Sequence, residues 1–342
     1  MSNPTRGKFT RLFNSIWYGG NPLKWLLWPA GWLYRAAVVL RRALYQRGMI
    51  RPVELAVPVV VVGNVTVGGT GKTPCIVWLA DALKKRGLST GIVTRGYGGQ
   101  ASSWPQWATR DSDPGEVGDE PVLLARRTAS PVAAGPDRVA TAKFLLGQRN
   151  VDVLLSDDGL QHYRMGRSFE IGVVDGVRGL GNGLCLPAGP LREPRQRLDA
   201  VDAIVVNSGS WGEGDVFRAD LVPVRVVRLT DGATRDLDDF KGANVHAVAG
   251  IGHPERFFAL LERHGIMVDP RPLADHAVIG EADLRFDDSV PVLITEKDAV
   301  KCREFAPENV WVVIVDLQFD GDDDERLTRL LMRRIEVRAG SK

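Results

Sequence analysis

The residues best suited to chemistry lie in one stretch of this chain. The β-branched run Val59-Val60-Val61-Val62 feeds Gly63-Asn64-Val65-Thr66-Val67-Gly68-Gly69-Thr70-Gly71-Lys72-Thr73, and Pro74 follows. A glycine-rich loop between a strand and a helix turns main-chain N–H groups onto phosphate oxygens, and the helix N-terminus adds partial positive charge. Thr66, Val67, Gly68, Gly69, Thr70, Gly71, Lys72 and Thr73 are therefore the expected nucleotide-binding cradle. Lys72 would reach the β- and γ-phosphates, and the Thr73 hydroxyl would ligate Mg2+. Pro74 suits a first helical turn, where its missing N–H removes no bond. The usual spacing of such loops has glycine where Thr66 stands, so this is a variant loop built on Gly68, Gly69 and Gly71.

Other groups could serve the same chemistry. The apolar run Val151–Leu155 ends in Ser156-Asp157-Asp158. Beside a phosphate loop, acids at a strand end reach the magnesium shell, although paired acids at a strand end are common. Gly118-Asp119-Glu120-Pro121 puts two acids at an expected helix start, a pattern that N-capping and dipole charge alone would explain. Arg95, Arg138 and Arg192 sit in loop-like contexts, where a guanidinium either neutralises phosphate or is solvated. His162 and His276 lack metal-ligand spacing, and the turn Gly250-Ile251-Gly252-His253-Pro254 resembles a phosphate loop only weakly.

The elements that must position these residues alternate. A helix over Lys72–Arg86 would bury Ile76, Leu79, Ala80 and Leu83; strands are expected at Thr90–Thr94, Pro131–Ala134, Val151–Leu155, Glu170–Val174 and Ala203–Val206. Helical patterns cover Glu120–Arg127 and Asp137–Leu146. This is an α/β pattern: a P-loop NTPase-like, mostly parallel sheet flanked by helices. After an extended valine-rich segment near Leu221–Leu229, a second strand–helix series implies a smaller α/β domain. The expected division is 1–50, a basic amphipathic segment; 51–225, the P-loop core; and 226–342, the smaller domain.

The net charge of +2 hides an asymmetry: nine basic residues precede the first acidic one, Glu54, so the rest of the chain carries −7. The first 32 residues hold four of the nine tryptophans, Trp17, Trp25, Trp28 and Trp32. Lys24, Pro29 and Arg35 interrupt the apolar stretch, which argues against a spanning helix. From about Ala30 to Arg47 the pattern is amphipathic, with Leu33, Ala37, Leu40 and Leu44 on one face and Arg35 and Arg42 on another. Tryptophan at headgroup level and arginines near anionic lipid fit an interfacial helix; a helix packed on the protein's own core is the alternative. Such apolar content is too high for an arm that tracks nucleic-acid phosphates, so no nucleic-acid partner is expected. Cys75, Cys185 and Cys302 form no C-x-x-C pair, consistent with a reducing compartment and no structural zinc, and no cleaved signal is expected.

Taken in order, Gly63–Thr73, Arg95-Gly96-Tyr97, Gly118-Asp119-Glu120-Pro121, Asp157-Asp158-Gly159-Leu160-Gln161-His162, Leu186-Pro187-Ala188-Gly189-Pro190-Leu191-Arg192-Glu193-Pro194, Asp275-His276 and Thr295-Glu296-Lys297-Asp298 resemble the tetraacyldisaccharide 4′-kinase family of lipid A biosynthesis. That family also lacks the first glycine of the loop; Leu160 stands where it often has an aromatic residue. The resemblance implies ATP and Mg2+ as cofactors and transfer of the γ-phosphoryl group to the 4′-hydroxyl of an acylated disaccharide 1-phosphate. It also implies a peripheral location on the cytoplasmic leaflet of the bacterial inner membrane. By the same resemblance Asp119 is the expected base and His276 its partner. Lys72, Arg138 and Arg192 are expected at the catalytic site, and Thr73, Asp157, Asp158 and Glu120 near the metal. Two other readings remain: a switch-type membrane ATPase that recruits partners, from which Val67 departs because lysine is usual there, and a nucleotide-free scaffold.

Overall fold

Four consecutive valines offer water no polar side, so β1 (Val59–Gly63) needs cover on both faces, and every residue of it is buried. The computed structural model describes residues 12–212, 214–275 and 277–339, with side chains to residue 336. In chain order the first half contains α1 (residues 12–18), α2 (Leu23–Gln46), β1, α3 (Lys72–Lys84), β2 (Thr90–Thr94), β3 (Gln106–Ala108), α4 (Pro114–Val117), α5 (Asp119–Arg127), β4 (Val132–Ala134), α6 (Arg138–Leu146), β5 (Val153–Asp157), β6 (Phe169–Asp175) and β7 (Ala203–Asn207). The rest contains β8 (Phe217–Arg228), β9 (Thr234–Arg235), β10 (Asn244–Ala249), α7 (Pro254–Arg263), β11 (Met267–Pro272), α8 (Glu281–Leu284), β12 (Val292–Thr295), α9 (Glu296–Cys302), β13 (Val310–Phe319) and α10 (Asp323–Ala339).

The strands form one sheet in the order β11-β10-β12-β13-β8-β7-β6-β1-β5-β2-β4-β3, with β9 pairing on β8. Pairing is parallel except at β13–β8, β3–β4 and β8–β9. The sheet is thus mostly parallel and flanked by helices, as its sequence pattern predicts. Alternation along β1 splits its side chains between two cores. Val60 and Val62 join Ile76, Leu79 and Leu83 of α3 on one face, while Val59 and Val61 join Val139, Ala142 and Leu145 of α6 on the other. Leu327, Leu331 and Ile335 of α10 belong to the first of these cores, so the chain's last helix returns to the P-loop half. Two more clusters, around Phe257, Phe258 and Trp311 and around Val292, Ile294 and Val310, cover the two faces of the β10–β12–β13 region.

Parallel strands place ligands beyond their carboxyl ends. Gly63, Thr94, Asp157, Asp175 and Asn207 all end strands on this one edge, as do Ala249 and Thr295 in the far half. Gly63 is glycine for a packing reason: a Cβ there would lie 2.7 Å from Leu160 Cγ, and Leu160 is buried in the α6-side core.

Helix α2 starts earlier than the sequence pattern predicts and runs straight through Pro29. Proline removes one helix bond, and contacts with the rest of the protein hold the helix just beyond it. Those contacts lie on one side. Gly31 packs where a Cβ would lie 3.0 Å from Cys185 O and 3.1 Å from Ala188 Cβ, and Tyr34 Oη donates to Arg192 O at 3.0 Å. The opposite side is apolar and bare: Trp25 is 66 %, Leu26 76 % and Leu33 74 % exposed, with Trp28, Trp32, Val39 and Leu40 beside them. A helix whose only partner was its own protein would bury that apolar side. Among the described residues no helix is long and apolar enough to cross a membrane.

Candidate active site

The glycine-rich loop turns at two residues with left-handed backbone, Gly68 (φ 108°) and Gly71 (φ 94°). A Cβ on Gly71 would also meet Asn207 Nδ2 at 2.5 Å, and that amide donates to Thr70 O at 3.0 Å. Asn64 braces the loop from inside, donating to Gly68 O at 3.2 Å and accepting from Lys72 Nζ at 3.3 Å. The absent glycine at Thr66 now has an account. Thr66 forms an antiparallel bridge with Leu191, between the bonds Arg192 N to Val65 O (2.7 Å) and Val67 N to Pro190 O (2.8 Å). A β-branched residue suits such extended pairing. No side chain caps the N-terminus of α3, and the buried Thr70 Oγ1 has no hydrogen-bond partner among the described residues. Donors left open at a helix start form a site for anionic oxygens.

Asp157 and Asp158 follow from β5 but live in different surroundings. Asp158 is gripped by Arg192 Nη1 at 2.9 Å from both carboxyl oxygens and by Lys72 Nζ at 3.5 Å. Burial works against its charge, but Lys72 and Arg192 outweigh it and hold the carboxyl well below the usual range. Asp157 is fully buried; burial, then the charge of Glu120, pushes it up to about 7. Its Oδ1 has no hydrogen-bond partner among the described residues. Arg138 is not a solvated loop residue: it begins α6, is 2 % exposed, and donates to Gly135 O and Asp157 O, both at 2.9 Å. Burial lowers it to about 10. Gln161 ties the underside together, donating to Asn64 O at 3.2 Å and Glu193 Oε2 at 2.9 Å.

Asp119 and Glu120 occupy the first turn of α5 rather than its cap, which is Gly118 with φ 98°. Asp119 is buried, and its Oδ1 accepts from Glu120 N at 2.9 Å. Facing them is α9. Lys301 Nζ lies 3.6 Å from Asp119 Oδ2, and Lys297 Nζ lies 3.8 Å from Glu120 Oε1 and 3.3 Å from Asp275 Oδ1. His276 lies outside the described residues; its neighbour Asp275 is the nearest described point of that motif.

Open donors at a helix start, a cation pair on one acid, a second buried acid and an acid pair on another helix start thus converge on one edge of the sheet. The family model for LpxK, tetraacyldisaccharide-1-P 4′-kinase, matches residues 23–336. The chain belongs to that family. It is 47 % identical over 325 residues to the tetraacyldisaccharide 4′-kinase of Nitrosococcus oceani, covering 95 % of this chain and 96 % of the relative. It is 51 % identical over 322 residues to the one from Alkalilimnicola ehrlichii, covering 91 % and 97 %. The solved structure of LpxK from Aquifex aeolicus in complex with ATP matches with a TM-score of 0.78 at 28 % identity, over 92 % of this chain and 99 % of that one. As a member of the tetraacyldisaccharide 4′-kinase family, the protein is a kinase of lipid A biosynthesis.

Asn207 carries no motif: it is a single polar residue at the end of a valine-rich strand, and that abrupt polarity is its only sequence signal. Asn64 lies within the motif Gly63–Thr73, but its bracing of the loop is visible only in the structure. The Gly250–Pro254 turn, unconvincing as a phosphate loop, lies against the glycine-rich loop: a Cβ on Gly252 would sit 3.5 Å from Gly69 N. The same turn brings His253 Nε2 into hydrogen-bond contact with Arg178, whose guanidinium stacks 4.0 Å over the Tyr18 ring. Arg256 adds an ion pair to Asp175 at 2.9 Å.

Burial, then the charges of Arg178 on His253 and of Arg138 on His162, lowers both histidines to about 4. Each is neutral when folded but gains a proton near pH 6.5 when unfolded. Between about pH 6.5 and 4 the unfolded state therefore binds more protons, and stability falls as pH falls. The melting temperature of His253→Asn should decline less steeply over that window than that of the parent protein. Parallel declines would show that His253 does not titrate this way.

Proposed function

We propose that this protein binds ATP with Mg2+ on the loop Thr66–Thr73 and transfers the γ-phosphoryl group to the 4′-hydroxyl of an acylated disaccharide 1-phosphate, giving lipid IVA. The observation that carries this is the convergence of Lys72, Asp158 and Arg192 at the loop, on the same sheet edge as the buried Asp119. In the transfer the 4′-oxygen bonds to the γ-phosphorus, the bond to the β–γ bridging oxygen breaks, ADP leaves, and the hydroxyl proton passes to a base. Asp119, buried in the first turn of α5, is the proposed base, with His276 as its partner. Lys72, Arg138 and Arg192 supply positive charge near the transferring oxygens, the main requirement of phosphoryl transfer.

The metal reading rests on Asp157. A fully buried carboxyl with an open oxygen, pushed up to about 7, has the character of a group waiting for a cation. Among the described residues no three acids, histidines or cysteines form a metal cluster; Mg2+ usually needs only one or two carboxylates beside water and phosphate. Thr73 and Asp157 would hold it, with Glu120 nearby, while Asp158 mainly fixes Lys72 and Arg192. Bound there, Mg2+ supplies neutralisation of the β- and γ-oxygens.

The bare face of α2 supports a peripheral location on the cytoplasmic leaflet, where an acylated substrate resides. Its other face bonds to the segment that pairs with the phosphate loop, so lipid and nucleotide would meet side by side. Replacing Leu26 and Leu33 together by serine should weaken sedimentation with phosphatidylglycerol vesicles about tenfold or more, leaving kcat on detergent-dispersed substrate unchanged. Unaltered sedimentation would contradict the membrane role. For the activity, γ-labelled ATP incubated with tetraacyldisaccharide 1-phosphate should yield a labelled bis-phosphorylated lipid by thin-layer chromatography. A protein that binds ATP yet labels no lipid would refute the reading.

A further inference from the structure

Helix α9 comes from the far half of the sheet but packs against α5, and their charges interlock along the whole contact. At one end Arg127 of α5 donates to Glu296 Oε1 at 2.7 Å. At the other, the lysines one turn apart on α9 meet consecutive acids at the start of α5: Lys301 at Asp119, 3.6 Å, and Lys297 at Glu120, 3.8 Å. Neither lysine is a loose surface partner; their side chains are 12 % and 18 % exposed. Each is also held from behind. Lys301 Nζ lies 3.3 Å from Asp298 Oδ1, and Asp298 is fully buried, its Oδ2 accepting from Thr295 Oγ1 at 2.7 Å and Gly250 N at 3.0 Å. Lys297 reaches Asp275 at 3.3 Å, the residue before His276. Glu120 and Asp275, with Asp119, outweigh burial and raise the Lys297 ammonium above its ordinary value, so it stays charged in this setting.

We infer that Lys301 and Lys297 are positioning residues for phosphoryl transfer: they fix the acid pair Asp119–Glu120 from the far half of the molecule. One oxygen of Asp119 is set by the Glu120 N–H and the other by Lys301, which leaves the carboxylate little freedom to swing. The anchor behind Lys301 is the buried Asp298, which also holds the Gly250 turn that leans on the phosphate loop. The acid pair and the loop's cover thus share one brace. Lys297 likewise ties Asp275 to Glu120. The inference rests on the reading of Asp119 as base, but assigns new work to α9.

The test is a double-mutant cycle with Lys301→Met, Lys301→Arg and Asp119→Asn, each checked for ATP binding. Lys301→Met should lower kcat about tenfold or more, with KM for ATP and lipid within about twofold, because a misdirected base costs turnover rather than binding. Lys301→Arg, which keeps the charge, should recover most of kcat. In the Asp119→Asn background, Lys301→Met should cost nothing further. A Lys301→Met enzyme with parental kcat, an arginine variant no better than methionine, or an equal further loss without Asp119 would each overturn the inference. If Lys301→Met does not fold, Lys297→Met is measured instead, with the same fall in kcat expected and a parental kcat overturning the inference. Full turnover by Asp119→Asn alone would instead remove the base reading beneath it, so the two failures are distinct.

Discussion

Asp119→Asn is expected to lower kcat by roughly 10²- to 10⁴-fold, the range a positioned general base contributes, while ATP affinity changes little. Asparagine keeps the shape of the side chain and can still accept from Glu120 N through its amide oxygen. What it loses is the capacity, proposed above for Asp119, to take the 4′-hydroxyl proton as the phosphorus bond forms. Single-turnover kinetics with saturating ATP isolate that step from product release. Retained single-turnover rate would show that the proton leaves by another route. Loss of ATP binding would show that the substitution has disturbed the loop instead.

Lys72→Ala is expected to cost about 10³-fold in kcat/KM, since the proposed role of its ammonium is to meet the negative charge that develops on the transferring phosphoryl group. The geometry adds a second loss. Lys72 links Asn64 and Asp158, so its removal frees the brace inside the loop and leaves Asp158 to Arg192 alone. Lys72→Arg should recover little, because a planar fork cannot occupy the point position between an amide oxygen and a carboxylate. Steady-state kinetics of the alanine and arginine variants check this; near-parental activity in either would contradict the placement of Lys72 at the phosphates.

Much of this architecture is legible in the sequence because local pattern and global fold agree there. Valine runs ending in glycine or acid announce parallel strands with a functional edge, and the periodic apolar residues of α3 are buried as spaced. What stays hidden depends on contacts between distant segments. Arg138 reads as a loop arginine until its fully buried path to the Asp157 carbonyl is seen. The weak Gly250–Pro254 turn gains meaning only where the two halves of the sheet bring it to Gly69. Nothing local to Lys297 and Lys301 reveals that α5 will stand opposite them. Helix α2 shows the converse: its apolar face is plain from periodicity, but only the structure shows that the face points outward. The amphipathic pattern from about Ala30 does not show that α2 already begins at Leu23 and includes Pro29.

A crystal structure with Mg2+ and a non-hydrolysable ATP analogue should show the triphosphate wrapped by the main-chain amides of residues 67–73 and Lys72 between the β- and γ-phosphates. It should also show the metal on Thr73 and Asp157, and the γ-phosphate turned toward Asp119. A nucleotide seated elsewhere, or a γ-phosphate facing away from α5, would contradict this placement.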